Sequence, residues 1–431
     1  MPVGASASIF GLISIVNHGF IPLGAIAAFV YYLSQKTNPP QILESASLPS
    51  KQLIHSSKTS NYDVNTFRSF QRNFCIVYIL ALFADGLQGP YIYKLYEHYG
   101  FQEFQIAQLY VVGFASSLIF GTITGPIADS CGRKNVCLFF SVIYIVCCLS
   151  KFSHNFWILW WGRICGGIST SILYSTFEAW YVYEHNQRHT FPENLIGNTF
   201  SITTFWNGLT AITAGMIANS MAVALGLGPV APFGVAIIPL IIGGIVVLKT
   251  WPENYGRKDG NIFDLGKDGL VIIWNDSAIM ILGGIQSAVE SVMYIFVYLW
   301  TPVLCSTGLN HPLGIIFSCF MIAIMIGSNL YSYLTNIGWK SDTMLQICLV
   351  LTTISMTVCS VMGGPNATEQ DLVIVYLAFL VKEIAIGLYY PAMSQCRSQV
   401  IPESHRANVM NFFRVPLNII TCGTLLLTHV E

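Results

Sequence analysis

Near the middle of the long apolar runs of this 431-residue chain stand Asp85, Arg163, Glu290, Lys382, Glu383 and Arg414. A charge at the centre of a bilayer costs about 3 kcal/mol or more, so such residues are retained for pairing, proton handling or ligand contact. Glu178 lies nearer the end of its run. Arg163, Gly167, Ser171, Ser175 and Glu178 recur at four, four, four and three residues, with Thr170 and Tyr174 beside them. On a continuous helix that spacing makes one stripe. A guanidinium and two hydroxyls in a row are the donors an oxyanion accepts. The same glycines and serines also suit close helix packing. Nothing here suggests covalent catalysis, because no nucleophile is paired with a base and no His/Asp cluster occurs. His185 and His189 in "EHNQRH" have a metal-compatible spacing without further ligands nearby. They are expected to be a loop-facing pair, with no metal and no cofactor.

The elements that carry these residues follow from hydropathy. Charged residues make up 10% of the chain and hydrophobic ones 54%, where soluble domains carry about 25% charged. The apolar residues collect in twelve runs, at about 9–33, 73–96, 104–124, 135–152, 156–182, 195–222, 229–249, 277–303, 312–334, 343–362, 370–394 and 405–428. Runs of about 20 residues cross a bilayer as helices, since hydrocarbon offers the backbone no other hydrogen-bond partners. An all-α polytopic protein embedded in a lipid bilayer is therefore expected. The net charge of −1 lacks the basic footprint that nucleic acid requires. Most of the twelve cysteines lie inside the runs and read as small buried hydrophobes.

Lys and Arg set the orientation. None falls in residues 1–35, whereas Lys36, Lys51, Lys58, Arg68 and Arg72 crowd the Ser/Pro-rich linker 36–72. Alternate loops beyond it hold Arg133, Lys134, Arg188, Arg257, Lys258, Lys267, Lys340, Arg397 and Arg406; the opposite loops hold little beyond Lys151. The linker and the 250–276 loop are expected in the cytoplasm. The sequon at Asn366 then lies outside, open to glycosylation.

An internal repeat divides the chain. "IFGTITGPIADSCGRK" (119–134) aligns with "MIGSNLYSYLTNIGWK" (325–340), and "FPENLIGN" (191–198) with "IPESHRAN" (401–408). Asp85 precedes Tyr93 by eight residues, as Glu290 precedes Tyr298. Parallel six-helix repeats are a transporter construction with the substrate held between the halves. The expected layout is an extra N-terminal helix (1–35), the linker (36–72), a six-helix half (73–249), the central loop (250–276) and a second half (277–431). That second half has five runs, so its last helix is expected to be missing and the chain to be a truncated form.

"GPIADSCGRK" resembles the loop signature of the major facilitator superfamily, G-x-x-x-D-x-x-G-R-K/R, carried here by Gly125, Asp129, Gly132, Arg133 and Lys134. "RICGG" (163–167) resembles its fourth-helix motif. Glycine permits a tight turn. Asp129, meeting a helix N-terminus or Arg133, could latch the two halves in one state, while anchoring by positive charge alone is the plainer account. The second copy, "NIGWK", lacks the Asp and Arg.

Longer stretches resemble the molybdate-anion transporter family: "FADGLQGPYIYKLYEHYG", "GRICGGISTSILYSTFEAWYVYEH", "GLGPVAPF", "ESVMYIFVYLWTPVL" and "FFRVPLN". That resemblance implies a monomeric secondary transporter that takes up molybdate by alternating access, at the plasma membrane. Two other readings stay open: a carrier of another small solute or oxyanion, and a non-transporting sensor or regulatory isoform. Molybdate is a dianion and needs surplus positive charge. Arg163, Lys382 and Arg414 could be cancelled by Asp85, Glu290 and Glu383, and protonation of a carboxylate, Asp85 foremost, would leave charge for the ion. Lys382 and Glu383 are consecutive, about 100° apart on a helix, and are not expected to share a face. Arg414 falls where the first half has Thr204, breaking the repeat as a ligand site would.

Overall fold

The computed structural model describes residues 12–37, 63–256, 271–307, 311–364, 367–401 and 406–427. Most of the linker, the centre of the 250–276 loop and Asn366 of the sequon lie outside the described residues. Within them each apolar run is helical, as the need to pair the backbone internally dictates.

The helices are α1 (Leu12–Thr37), α2 (Val64–Gln88), α3 (Ile92–His98), α4 (Glu103–Cys131), α5 (Arg133–Ser150), α6 (Phe156–Leu173) and α7 (Thr176–Tyr183). They continue as α8 (Asn194–Asn219), α9 (Ala231–Thr250), α10 (Ser277–Leu304), α11 (Leu313–Asn336), α12 (Ser341–Met362), α13 (Glu369–Val400) and α14 (Arg406–Leu427). Among the described residues nine spans are long and apolar enough to cross a membrane, α2 and α3 counting as one.

Three boundaries differ from the sequence reading, each for a local reason. The helix expected from residue 73 starts at Val64, because the Asp63 carboxylate accepts from the amides of Asn65 and Thr66 and caps it there. The "GPIADSC" stretch is helical rather than loop, and the turn narrows to Gly132, whose φ of 97° suits glycine. The run 156–182 is two helices, broken where Ser175 leaves helical geometry at φ −136° and ψ −58°. The break ends the single stripe from Arg163 to Glu178.

Packing repeats as the sequence does. In the first half α4 and α5 each pack on α6, and α8 packs on α2. In the second, α11 and α12 each pack on α13, and α14 packs on α10. The two seams between halves are repeat-related as well, α8 on α11 and α4 on α14. Small residues set the closest approaches, as expected where lipid supplies no hydrophobic drive. A Cβ on Gly215 would lie 2.6 Å from the Gly314 carbonyl, and one on Gly327 2.0 Å from the Ile384 carbonyl. Helix α1 lies outside the repeat, against α11 and the edge of α13.

Candidate functional site

The ends of the bundle are unlike. The end carrying Arg133, Lys134 and Arg188 is called the basic end here, and the opposite one the far end. At the far end the halves meet. The Tyr298 ring stands edge-on to Tyr93 (centroids 5.5 Å, 71°) and Tyr110 (5.3 Å, 82°), and its hydroxyl donates to the Glu103 carbonyl at 3.3 Å. Tyr93 and Tyr298 are the repeat-related tyrosines, so the duplication places one residue type on both sides of one plug. One turn deeper, Phe114 meets Tyr294 at 4.9 Å. Toward the basic end a cavity of about 480 Å³ opens, lined by Arg133, Ser175, Glu178, Tyr183, Asn186 and Phe200 among others.

Asp85 sits in the last turn of α2. Its carboxylate accepts a hydrogen bond from the Tyr144 hydroxyl of α5 and a second from Tyr174. No salt bridge reaches it among the described residues. Tyr174 is the residue at the α6–α7 break, and its hydroxyl lies within electrostatic reach of Tyr294 and Tyr390 of the second half. The break thus turns a first-half side chain toward the middle of the molecule. Glu178, just beyond, accepts from Tyr78 at 3.4 Å.

The stripe preceding the break has divided duties. Arg163 donates from Nε to the Leu109 carbonyl at 3.0 Å and lies over the Tyr110 ring at 5.1 Å. A Cβ on Gly167 would stand 1.8 Å from Ser116 Oγ, and the Ser171 hydroxyl donates to the Ser117 and Gly167 carbonyls at 3.0 and 2.9 Å. Those two positions face α4, so they knit α6 to α4 and do not point into the inter-half space. Thr170 and Ser175 return their hydroxyls to carbonyls one turn back, at 3.0 and 2.6 Å, and Ser175 also lines the basic-end cavity.

In the second half the expectation for Lys382 and Glu383 is corrected. Lys382 Nζ meets Glu383 Oε1 at 2.9 Å, with both side chains buried and the ammonium 3.6 Å from the Phe296 ring centroid. Their Cβ atoms diverge as helix geometry requires, yet a four-carbon stem is long enough to bend back to its neighbour. Glu290 is served differently. Tyr389 donates to its Oε1 at 3.3 Å, and Gln286, one turn earlier, bonds it as well. The Gln286 Oε1 in turn accepts from Arg397 Nη1 at 3.3 Å. Arg397, expected in a loop, is within α13 and points inward. Ser287 donates to the Phe413 carbonyl at 2.8 Å, which pins α14 with Arg414 beside this group. The Arg414 guanidinium crosses the seam to Gly121, whose Cβ would lie 3.0 Å from Nη1. Among the described residues it makes no salt bridge, and the carboxylate whose field it shares is Glu290.

At the basic end, Arg133 grips Asp129 (2.7 and 3.0 Å) and the Ala179 carbonyl (3.2 Å). Sequence reasoning missed Glu253, whose carboxylate accepts from the amides of Lys134 (2.8 Å) and Asn135 (3.2 Å) and so caps α5. It also missed Asn254, which joins Glu184 at 2.9 Å and whose carbonyl takes the Arg133 amide at 2.9 Å. These partners belong to the first half and to the start of the central loop, so among the described residues no latch to the second half is engaged at this signature. Trp251 stacks on Trp180 at 3.6 Å and 9° to hold the segment down. His185 is buried rather than loop-facing: its Nε2 meets the Pro192 carbonyl at 3.0 Å and its Nδ1 the Tyr181 hydroxyl at 3.3 Å. Burial holds its pKa below the ordinary imidazole value, His189 adds to the shift, and the Pro192 carbonyl opposes both. No cluster of three metal-ligating side chains occurs among the described residues.

Comparison with known proteins agrees with this architecture. A family model described as sugar transporters with 12 transmembrane segments matches residues 45–381. A molybdate-anion transporter of Takifugu rubripes is 41% identical over 393 residues, 85% of this chain and 80% of that protein. One of Xenopus tropicalis is 42% identical over 392 residues, 90% of this chain and 84% of that protein. Among solved structures the nucleoside transporter NupG (D323A mutant) superposes with a TM-score of 0.68 at 14% identity, over 83% of this chain and 90% of that one. The peptide transporter POT in complex with sulfate gives 0.66 at 12%, over 84% and 88%. At such identities the likeness is one of fold.

Proposed function

The chain belongs to the molybdate-anion transporter family of the major facilitator superfamily, and from that premise we propose that it carries molybdate into the cell by alternating access, as a single chain in the plasma membrane. The basic end faces the cytoplasm in this reading, and the far end the outside. The tyrosine plug then closes the outer entrance, and the substrate space drains inward. No step is covalent. The protein supplies binding groups and two arrangements of its halves.

The observation that carries the anion assignment is Arg414. Lys382 is cancelled by Glu383, and Arg163 is held by a backbone carbonyl and an aromatic ring. Arg414 keeps its charge at the seam, without a salt bridge among the described residues, next to a glycine that leaves room for it. A guanidinium with open donors is what a tetrahedral oxyanion accepts. Asp85, bonded by the hydroxyls of Tyr144 and Tyr174 and without a salt bridge among the described residues, is the proposed proton carrier.

The test is labelled-molybdate uptake by cells lacking other routes, comparing the chain with Arg414→Ala at matched surface expression. Uptake is expected to vanish in the variant, and normal uptake excludes Arg414 as a ligand. Uptake that ignores external pH between about 5 and 8, a roughly thousandfold change in the proton concentration that would drive coupled entry, removes Asp85 from the coupling.

A further inference from the structure

The group around Glu290 holds more charge than the pairing above uses. Gln286, Ser287 and Glu290 lie within little more than one turn of α10, and each is tied to a different partner. Gln286 holds Arg397 of α13 at 3.3 Å, Glu290 takes the Tyr389 hydroxyl of α13 at 3.3 Å, and Ser287 holds the α14 backbone at 2.8 Å, one residue from Arg414. Tyr294 and Tyr390 complete the surroundings, with the Tyr174 hydroxyl of the first half within electrostatic reach of both. Arg397, Arg414 and Glu290 are all half-buried. Neither guanidinium closes a salt bridge on the carboxylate among the described residues. Two cations therefore flank one anion without a salt bridge among the described residues, with Gln286 bonded to both Arg397 and Glu290, which leaves a surplus of one positive charge.

A dianion arriving between the two guanidiniums would balance both by itself and make the carboxylate redundant. On the reading that the chain is an oxyanion carrier, we infer that Glu290 is the built-in counter-ion of the site. It offsets one of the two positive charges of Arg397 and Arg414 while no anion is bound and competes with the arriving tetrahedral dianion for them. Arg397 becomes the second guanidinium ligand, positioned by Gln286 and supplied by a different helix from Arg414. A ligand gripped from α13 and α14 together would also tie those helices in one arrangement.

The experiment measures binding of molybdate and, separately, of sulfate to the purified full chain in lipid nanodiscs. Glu290→Gln is expected to bind either dianion about tenfold tighter, the effect of removing one negative charge roughly 6 Å from a dianion in a water-filled chamber. Arg397→Gln is expected to bind at least about tenfold more weakly, and Glu290→Asp to stay near wild type. A folded Glu290→Gln that binds no tighter overturns the inference. Should that variant fail to fold, the infrared difference spectrum of the wild-type protein decides: anion binding must shift a carboxylate band that is displaced in Glu290→Asp, and an unchanged carboxylate region overturns the inference. Sulfate binding with the Glu290 effect, but without molybdate binding, keeps the counter-ion and refutes the molybdate reading. Binding of neither dianion refutes both.

Discussion

Replacing Tyr298 with alanine should unplug the far end. The ring makes two edge-to-face contacts across the seam, to Tyr93 at 5.5 Å and Tyr110 at 5.3 Å. Such pairs contribute about 0.5–1.5 kcal/mol each beyond area burial, so the truncation removes about 1–3 kcal/mol from the arrangement closed at this end. The side chain is only 1% exposed, so the void left behind acts in the same direction. That converts to a roughly 5- to 150-fold shift toward the arrangement open at the far end. The reporter is Phe114→Cys, one turn below Tyr110 against Tyr294, labelled in intact cells by an impermeant maleimide. Cells without the reporter give the background from Cys305, which is half-buried near that end. Labelling of the reporter should accelerate by the same factor once Tyr298 is alanine. A rate within about twofold of the parent's, at equal expression, would show that the rings do not close the entrance, because even the lower bound of the pair energies predicts more.

Three further outcomes follow from particular contacts. Gly167→Val should lower the thermal stability of the solubilised protein by about 3 kcal/mol or more, since even a Cβ there stands 1.8 Å from Ser116 Oγ and 2.7 Å from the Gly113 carbonyl; an unchanged melting curve contradicts the packing described. The two signature glycines should part company: Gly132→Ala costs about 1–2 kcal/mol because of its φ of 97° and the Glu253 carboxylate beside it, whereas Gly125→Ala meets nothing within 4 Å and leaves the melting curve in place. His185 is buried with its pKa pushed down. The packing of residues 184–192 should therefore be complete above about pH 6.5, the unfolded value, and loosen as pH falls below it. Hydrogen exchange of that segment should rise between about pH 7.5 and pH 5 in the wild type and lose this pH dependence in His185→Phe; equal protection at both pH values in the wild type refutes the reading.

The apolar runs by themselves determined the helices, because the demand for internal backbone pairing in lipid is local to about 20 residues and is written in hydropathy. Asp85 with Tyr93 and Glu290 with Tyr298 disclosed the duplication, since repeated spacing survives in one dimension. Which side chains meet was another matter. The bend of Lys382 onto Glu383, the inward turn of Arg397, the capping of α5 by Glu253 and the burial of His185 depend on neighbouring turns or on helices a hundred residues away. The break at Tyr174–Ser175 hides inside a run whose hydropathy is uninterrupted. Partner choice in a bundle is set by which faces the crossing helices present to each other, and that information exists only once the helices have packed.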